Sequence, residues 1–249
     1  MLLAVDVGNT NITFGFFQGK LLKKQFDIPT QKYNKKILTK KIKGVSSLFS
    51  SVICSVVPNL TKNLQQDLKL LGGRKPYIIG RDLKVPLKNR YRLPKQVGQD
   101  RLVSAYAASY IYGYPAIIVD SGTAITLDVV SKNNAYLGGL IFPGLEMSLS
   151  ALHEKTALLP QVKLTLPKAL IGRDTQNSIL SGVVFGTATL IYALSLKIGK
   201  LLGKNTQIIG TGGSIALIKR YLPTGIIIDQ RLTLKGINLI YEHEIKNRF

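Results

Sequence analysis

The sequence predicts an α/β chain of two related domains, on three observations. Apolar runs of strand length alternate with segments of helical spacing. A strand–turn–strand unit occurs twice, half a chain apart. At 249 residues and 45% hydrophobic, the chain is long enough to bury a core in each of two small domains, and too apolar for a disordered chain despite its net charge of +21.

The repeat reads Ala-Val-Asp-Val-Gly-Asn-Thr-Asn-Ile-Thr over residues 4–13 and Ile-Val-Asp-Ser-Gly-Thr-Ala-Ile-Thr over 118–126. Each copy gives an apolar strand, Asp-x-Gly, two threonines three apart, and a second strand. The aspartates, Asp6 and Asp120, lie 114 positions apart. Two related α/β domains facing one another follow, 1–114 and 115–249, although two short Asp-Gly turns can also arise by chance.

Along the first half, strands are expected at Leu2–Val7, Ile12–Phe17 and Leu21–Ile28, with turn chemistry at Gly8–Asn11 and Gln18-Gly19. A lysine-rich helix over Lys35–Lys43, a buried strand at Ser51–Val57, a helix after Pro58 and a strand at Tyr77–Gly80 follow. Segment 81–99, with Pro86, Pro94 and Gly98, reads as irregular surface chain. In the second half, strands are expected at Ile117–Asp120, Ala124–Val130 and Tyr136–Ile141, then a helix from Pro143 to His153. A long helix over Ser178–Leu202, a strand at Gln207–Gly210, a helix to Tyr221, a strand at Gly225–Asp229 and a helix over Leu234–Ile245 complete the chain.

Composition excludes several classes. Met-Leu-Leu-Ala-Val-Asp has no basic region, so it is not a signal peptide. No uninterrupted apolar run reaches the ~20 residues of a membrane span; Ile179–Ile198 is broken by serines, threonines, glycines and Lys197. The expectation is a cytoplasmic protein with no membrane partner. One cysteine and two histidines cannot assemble a zinc site. Cys54 reads as a small core residue, His153 and His243 as structural or surface groups. Residues 1–100 carry 19 basic and 5 acidic side chains, and nine lysines fall between Lys20 and Lys43. No nucleic-acid motif accompanies them, and solvated lysines rather than a nucleic-acid partner are expected. Tyr106, Tyr110, Tyr112 and Tyr114 could stack bases or pack a helix end equally well.

The hairpins suit phosphate chemistry. Asp6 at a strand's end can hold Mg²⁺, directly or through water. Gly8 lets backbone approach a phosphate, successive turn N–H groups form an anion nest, and Thr10 and Thr13 can donate hydroxyls. Asp120 and Thr123 offer a second such turn. Gly210-Thr211-Gly212-Gly213 follows a strand and opens a helix, suited to a ribose or phosphates, or simply to a tight turn. Asp100, at a helix start in Gly98-Gln99-Asp100-Arg101, can be an N-cap or a proton acceptor.

Taken together, Asp6-Val-Gly-Asn-Thr10, Tyr91-x-x-Pro94-x-x-x-Gly98-x-Asp100-Arg101, Asp120-Ser-Gly-Thr-Ala124, Gly138-Gly139-x-Ile141-x-Pro143-Gly144, Leu158-Leu159-Pro160, Gly172-Arg-Asp-Thr175 with Ser181-Gly182, and Thr211-Gly212-Gly213 resemble the type III pantothenate kinases over nearly the whole chain. These belong to the acetate and sugar kinase, Hsp70 and actin superfamily. The resemblance implies duplicated actin-like (ribonuclease H-like) domains, each a mixed sheet flanked by helices, with the active site in the cleft between them. It implies phosphoryl transfer from ATP to the primary hydroxyl of pantothenate, with Asp100 as proton acceptor. It places ATP's phosphates on residues Asp6, Val7, Gly8, Asn9, Thr10, Asn11, Ile12, Thr13 and Thr123. It places pantothenate on Tyr91, Gly98, Gln99, Asp100, Arg101 and Thr175. It further implies Mg²⁺ with ATP at Asp6, a K⁺ or NH₄⁺ ion at Asp120, and a homodimer whose neighbouring subunit completes the pantothenate site. Read alone, Tyr91 fits loop packing and Thr175 fits capping of a helix beginning near Gln176. Two residues depart from the pattern: Ser121 replaces a bulky residue, and Asp174 stands where Asn is common. Either could alter cation or substrate binding.

Overall fold

The structure, a computed structural model, describes residues 1–44, 49–203, 205–222 and 224–246. The chain divides into two compact units, Met1–Ala107 with Arg231–Phe249, and Ala108–Gln230. This differs from the single cut near residue 114. The first boundary lies seven residues earlier, and the last helix returns to the first unit.

In the first unit, β1 (Leu2–Val7) and β2 (Asn11–Gln18) form the first hairpin, and β3 (Leu21–Pro29) extends it antiparallel. After α1 (Lys35–Ile42), β4 (Ser50–Ser55) pairs parallel with β1. Then α2 (Pro58–Gly72) leads to the short parallel β5 (Tyr77–Ile78), giving the order β3-β2-β1-β4-β5. Local chemistry sets these ends. Asn34 Oδ1 accepts from Ile37 N at 3.0 Å to cap α1. Pro58 opens α2, where its missing N–H costs nothing, and Gly73 closes it in the left-handed conformation. The expected strand at Tyr77–Gly80 shortens, because Gly80 turns the chain and its N–H bonds to Leu83 O. The irregular segment holds the two-residue β6 (Lys88–Asn89) and a single 3₁₀ turn over Pro94–Gln96 before α3 (Gln99–Tyr112), within which the division between the units falls.

Period-two alternation along β1 sorts its side chains onto two cores. Leu3, Val5 and Val7 pack with Ile12, Phe14, Leu38, Leu64 and Leu68 beneath α1 and α2. Leu2 and Ala4 pack on the opposite face with Cys54, Val103 and Tyr106 of α3, and Leu234, Ile237 and Ile240 of α7 (Leu232–Lys246). Fully burying each aliphatic side chain contributes about 1.5–3 kcal/mol. That second face explains why the C-terminal helix belongs to this unit.

The second unit repeats the scheme. It contains β7 (Ala116–Ser121), β8 (Ala124–Val130), β9 (Ala135–Pro143), β10 (Gln207–Thr211) and β11 (Ile227–Ile228). Their order is β9-β8-β7-β10-β11, with β7–β8 and β8–β9 antiparallel and β7–β10–β11 parallel. This is the order and sense of β3-β2-β1-β4-β5. The registers agree too, Asp6 opposite Thr13 and Asp120 opposite Thr126.

Helices α4 (Leu145–Glu154), α5 (Thr175–Leu202) and α6 (Ile215–Ile218) cover the face carrying Ile117 and Val119. By length and composition α5 would suffice to cross a membrane, which the interrupted run in the sequence did not predict. Its inner face (Ile179, Leu180, Val183, Val184 and Ile191) is core of this unit. Its outer face leaves Leu190, Tyr192 and Leu196 exposed.

Candidate active site

Asp6 ends β1 on the same sheet face as Leu2 and Ala4, and its parallel partner on β4 is Cys54. The turn beyond it is closed by Gly8 N donating to Asn11 O at 3.0 Å. A second clamp comes from Thr30, just past β3: its hydroxyl donates to Gly8 O at 2.7 Å and its N–H to Thr10 O at 2.9 Å. The sequence carried no signal for Thr30. Asn9, Thr10 and Asn11 are exposed and Thr13 is half-buried, so the turn presents polar groups outward. Val7 and Ile12, by contrast, are fully buried core residues. Their side chains face apolar neighbours, which leaves only backbone for contact with a phosphate.

Asp100 lies in the first turn of α3. Its Oδ1 accepts from Arg101 N at 2.9 Å; because α3 already begins at Gln99, Asp100 is its second residue and not the N-cap that the capping alternative expected. The same oxygen folds over Gly98, where an added Cβ would collide with it. Gly98 is therefore required for close approach of this carboxylate. Gln99 lies over Gly80, where a Cβ would come within 2.7 Å of its side-chain Cδ. Asp6 and Asp100 both bear on Cys54. Burial first, then the charges of Asp6 and of Asp100, push this fully buried thiol well above its ordinary range. The first Asp-x-Gly hairpin and the carboxylate at the start of α3 thus both act on one buried position of the first unit. Tyr91 is half-buried in the loop before α3, its N–H bonded to Asn89 Oδ1 at 2.9 Å.

In the second unit, Asp120 ends β7 opposite Thr211 of β10. Gly212 follows in a left-handed conformation, φ 90°. A Cβ there would strike Asp120 Oδ1 and the Ser121 carbonyl, so only glycine leaves the carboxylate its space. Ser214 N donates to Ser121 O at 2.9 Å, and Gly144 N to Thr123 O at 3.1 Å, tying the second hairpin to its neighbours. Thr123 is exposed. Ser121 continues the Ile117–Val119 face into the core, and its fully buried hydroxyl has no hydrogen-bond partner. Asp174, not Thr175, caps α5: Oδ1 accepts from Asn177 N at 2.8 Å and Oδ2 from Asn177 Nδ2 at 2.6 Å. The backbone bond first, then the side-chain bond, hold this carboxyl below its usual range. Thr175 is the first helical residue and is exposed. Among the described residues no group of three or more His, Cys, Asp or Glu is placed to hold a metal.

Two Asp-x-Gly hairpins in one register, on two sheets of one order, are a structural duplication. The family model of the type III pantothenate kinases matches residues 2–197. The chain belongs to the type III pantothenate kinase family. A type III pantothenate kinase of Persephonella marina is 39% identical over 255 residues, covering 98% of this chain and 99% of the relative. One of Agathobacter rectalis is 35% identical over 254 residues, covering 98% of each.

Among solved structures, a conserved putative Baf family transcriptional activator from Campylobacter jejuni superposes with TM-score 0.60 at 20% identity, covering 98% of this chain and 99% of that one. The activator of the 2-hydroxyisocaproyl-CoA dehydratase from Clostridium difficile, with bound ADPNP, gives 0.55 at 12% identity, covering 99% and 96%. These two likenesses speak to the fold alone, an actin-like α/β architecture. As a type III pantothenate kinase, the protein phosphorylates pantothenate with ATP in coenzyme A biosynthesis, with a divalent metal such as Mg²⁺ accompanying the nucleotide.

Proposed function

We propose that Asp100 is the proton acceptor of this pantothenate kinase and that the Asp6–Thr13 hairpin holds the phosphates of ATP. What supports the reading is that Asp6 is the parallel neighbour of Cys54 across β1 and β4, and that Asp6 and Asp100, both in the first unit, act electrostatically on that one residue. The backbone N–H groups of the Gly8–Asn11 turn and the hydroxyls of Thr10 and Thr13 bind phosphate oxygens; in the second unit, Thr123 offers an exposed hydroxyl suited to the same chemistry. Val7 and Ile12 contribute backbone only. Asp6 would hold the Mg²⁺ that accompanies ATP, and the ion would supply charge neutralisation to the transferring phosphoryl group. Asp100 orients the primary hydroxyl of pantothenate and takes its proton as the new P–O bond forms, while the Arg101 guanidinium suits the substrate's carboxylate. Tyr91, Gly98 and Gln99, in the same unit as Asp100, contact the substrate beside it. Asp100→Asn is expected to keep the fold and ATP binding while losing about 10²- to 10⁴-fold in kcat. A near-normal kcat would reduce Asp100 to a residue of the helix start.

Asp120 suits a monovalent cation. Its carboxylate stands beside the Ser121 carbonyl in the space that Gly212 leaves open, an all-oxygen surrounding appropriate to a hard ion such as K⁺ or NH₄⁺. Exchanging K⁺ for Na⁺ is expected to lower turnover, and Asp120→Ala to abolish the difference. Equal rates in both salts would remove this role.

The outer face of α5 supports a homodimer with Thr175 near its interface. Leu190, Tyr192 and Leu196 are exposed there, and Gly182 and Gly186 have open space at Cβ, so a second chain could approach the helix closely.

A further inference from the structure

The nine lysines between Lys20 and Lys43 meet a single carboxylate, Asp27, in the same stretch. All nine are exposed, and among the described residues none of them is in a salt bridge shown by the structure. Asp67, on the neighbouring α2, accepts from the Tyr33 hydroxyl at 2.8 Å. The fold joins these cations into one ridge. Lys20 lies in the turn just before β3, Lys23 and Lys24 lie in its first half, and Lys35, Lys36, Lys40 and Lys41 lie on α1, with Lys43 just beyond. Lys24 Nζ donates to Lys41 O at 2.7 Å, and the ammonium groups of Lys24 and Lys41 each stand 5.9 Å from the Phe26 ring. One end of the ridge is the phosphate hairpin. Pro29 pairs with Asn11, Thr30 bonds to Gly8 and Thr10, and Lys32 follows two residues later.

The chemistry of the ridge narrows its ligand. Nine residues of β3 span roughly 30 Å, far longer than a nucleoside triphosphate's phosphate chain. All the cations in this stretch are lysines, point charges that bind phosphate without the planar fork of arginine. The aromatic ring among them, Phe26, is stacked on Phe14 at 4.8 Å and flanked by two lysines, so it offers no platform for a base. A long chain of phosphates without bases fits both the length and the lysines.

We propose that linear inorganic polyphosphate binds along this ridge with its terminal residue at the Asp6–Thr13 hairpin and serves as an alternative phosphoryl donor. In the reaction the terminal P–O–P anhydride bond breaks and a P–O bond forms to the primary hydroxyl of pantothenate. The hydroxyl proton passes to Asp100, and a polyphosphate one residue shorter leaves with the bridging oxygen and its electron pair. The proposal rests on reading the hairpin as the phosphate site.

The experiment measures phosphopantothenate by mass spectrometry with ATP, tripolyphosphate or nucleotide-free long-chain polyphosphate as donor. It uses the full chain and a Lys20→Glu/Lys23→Glu/Lys43→Glu variant, altered at the end of the ridge away from the hairpin. Long-chain polyphosphate is expected to support turnover, and tripolyphosphate to be at least about tenfold poorer. The ratio of kcat/KM for long-chain polyphosphate to that for ATP should fall by about tenfold or more in the variant and with rising salt, as counterion release requires. Turnover with ATP but none with long-chain polyphosphate would overturn the proposal, as would an unchanged ratio in the variant. Salt-sensitive binding of duplex DNA without turnover from polyphosphate would also overturn it, in favour of a nucleic-acid surface. Failure with ATP as well would strike the kinase assignment itself.

Discussion

Replacing Gly98 by alanine tests the geometry of the acceptor carboxylate through a residue with no reactive group. The backbone φ of Gly98 lies outside the left-handed region, so alanine meets no backbone penalty there. The conflict is with Asp100 Oδ1, which lies closer than the 3.0 Å that real Cβ atoms respect. The carboxylate must rotate away, giving up its 2.9 Å bond from Arg101 N. One hydrogen bond of this kind is worth about 1 kcal/mol of stability, a small part of a domain's total, so the fold should persist. Its cost to catalysis is larger. Displacing a reacting group by about 1 Å costs on the order of 10²-fold in rate. Gly98→Ala is therefore expected to lower kcat by about 10²-fold with ATP binding intact, measured by coupled ADP release and by nucleotide titration. The double variant Gly98→Ala/Asp100→Asn should be no slower than Asp100→Asn alone, because both changes remove the same contribution. Additive losses would show that Gly98 acts through something other than the carboxylate, and an unchanged kcat in the single variant would refute the positional argument outright.

Ser121→Ala removes a buried hydroxyl that lacks a partner. It should stabilise the protein by about 1 kcal/mol, read as a rise in Tm of about 2–4 °C by calorimetry; a fall would reveal a bond the hydroxyl does make. Tyr112 donates to Asp229 at 2.8 Å, and burial first, then that bond and the Asp229 charge, raise its phenol to about 12. The raised value means its contribution is complete below about pH 10 and is lost as pH climbs toward 12. Tyr112→Phe should accordingly flatten the fall of Tm across that window, and an identical fall would exclude the pair as its source. Light scattering at assay concentration should give about 55 kDa, twice the 27.3 kDa chain, and an active species of chain mass would rule out a shared site.

The elements of the site that the sequence alone determined are those set by local chemistry. Strand alternation, Asp-x-Gly turn residues and their recurrence after 114 positions were enough to foresee two hairpins of one register, and the matching strand orders bear out the duplication. Pro58 marked the start of α2, whereas the Asn34 cap of α1 came only from the structure, and Thr175 yielded the cap of α5 to Asp174, one residue earlier. Other features needed the folded chain, because they depend on which surfaces meet. Nothing local announces that Leu234, Ile237 and Ile240 cover the Leu2–Ala4 face of the first sheet; that pairing joins the chain's two ends and moved α7 out of the second unit. The clamp of Thr30 on Gly8 and Thr10 exists because β3 runs back beside β2. Val7 and Ile12 sit in the first Asp-x-Gly hairpin, yet the sheet turns their side chains inward toward Leu38 and Leu64. Gly80 gained its meaning only from the Gln99 side chain lying over it, and Gly212 from the Asp120 carboxylate. Turn and strand preferences act over a few residues and are written in the sequence. Contacts between distant segments arise only when two apolar faces exclude water together, and tertiary packing decides those.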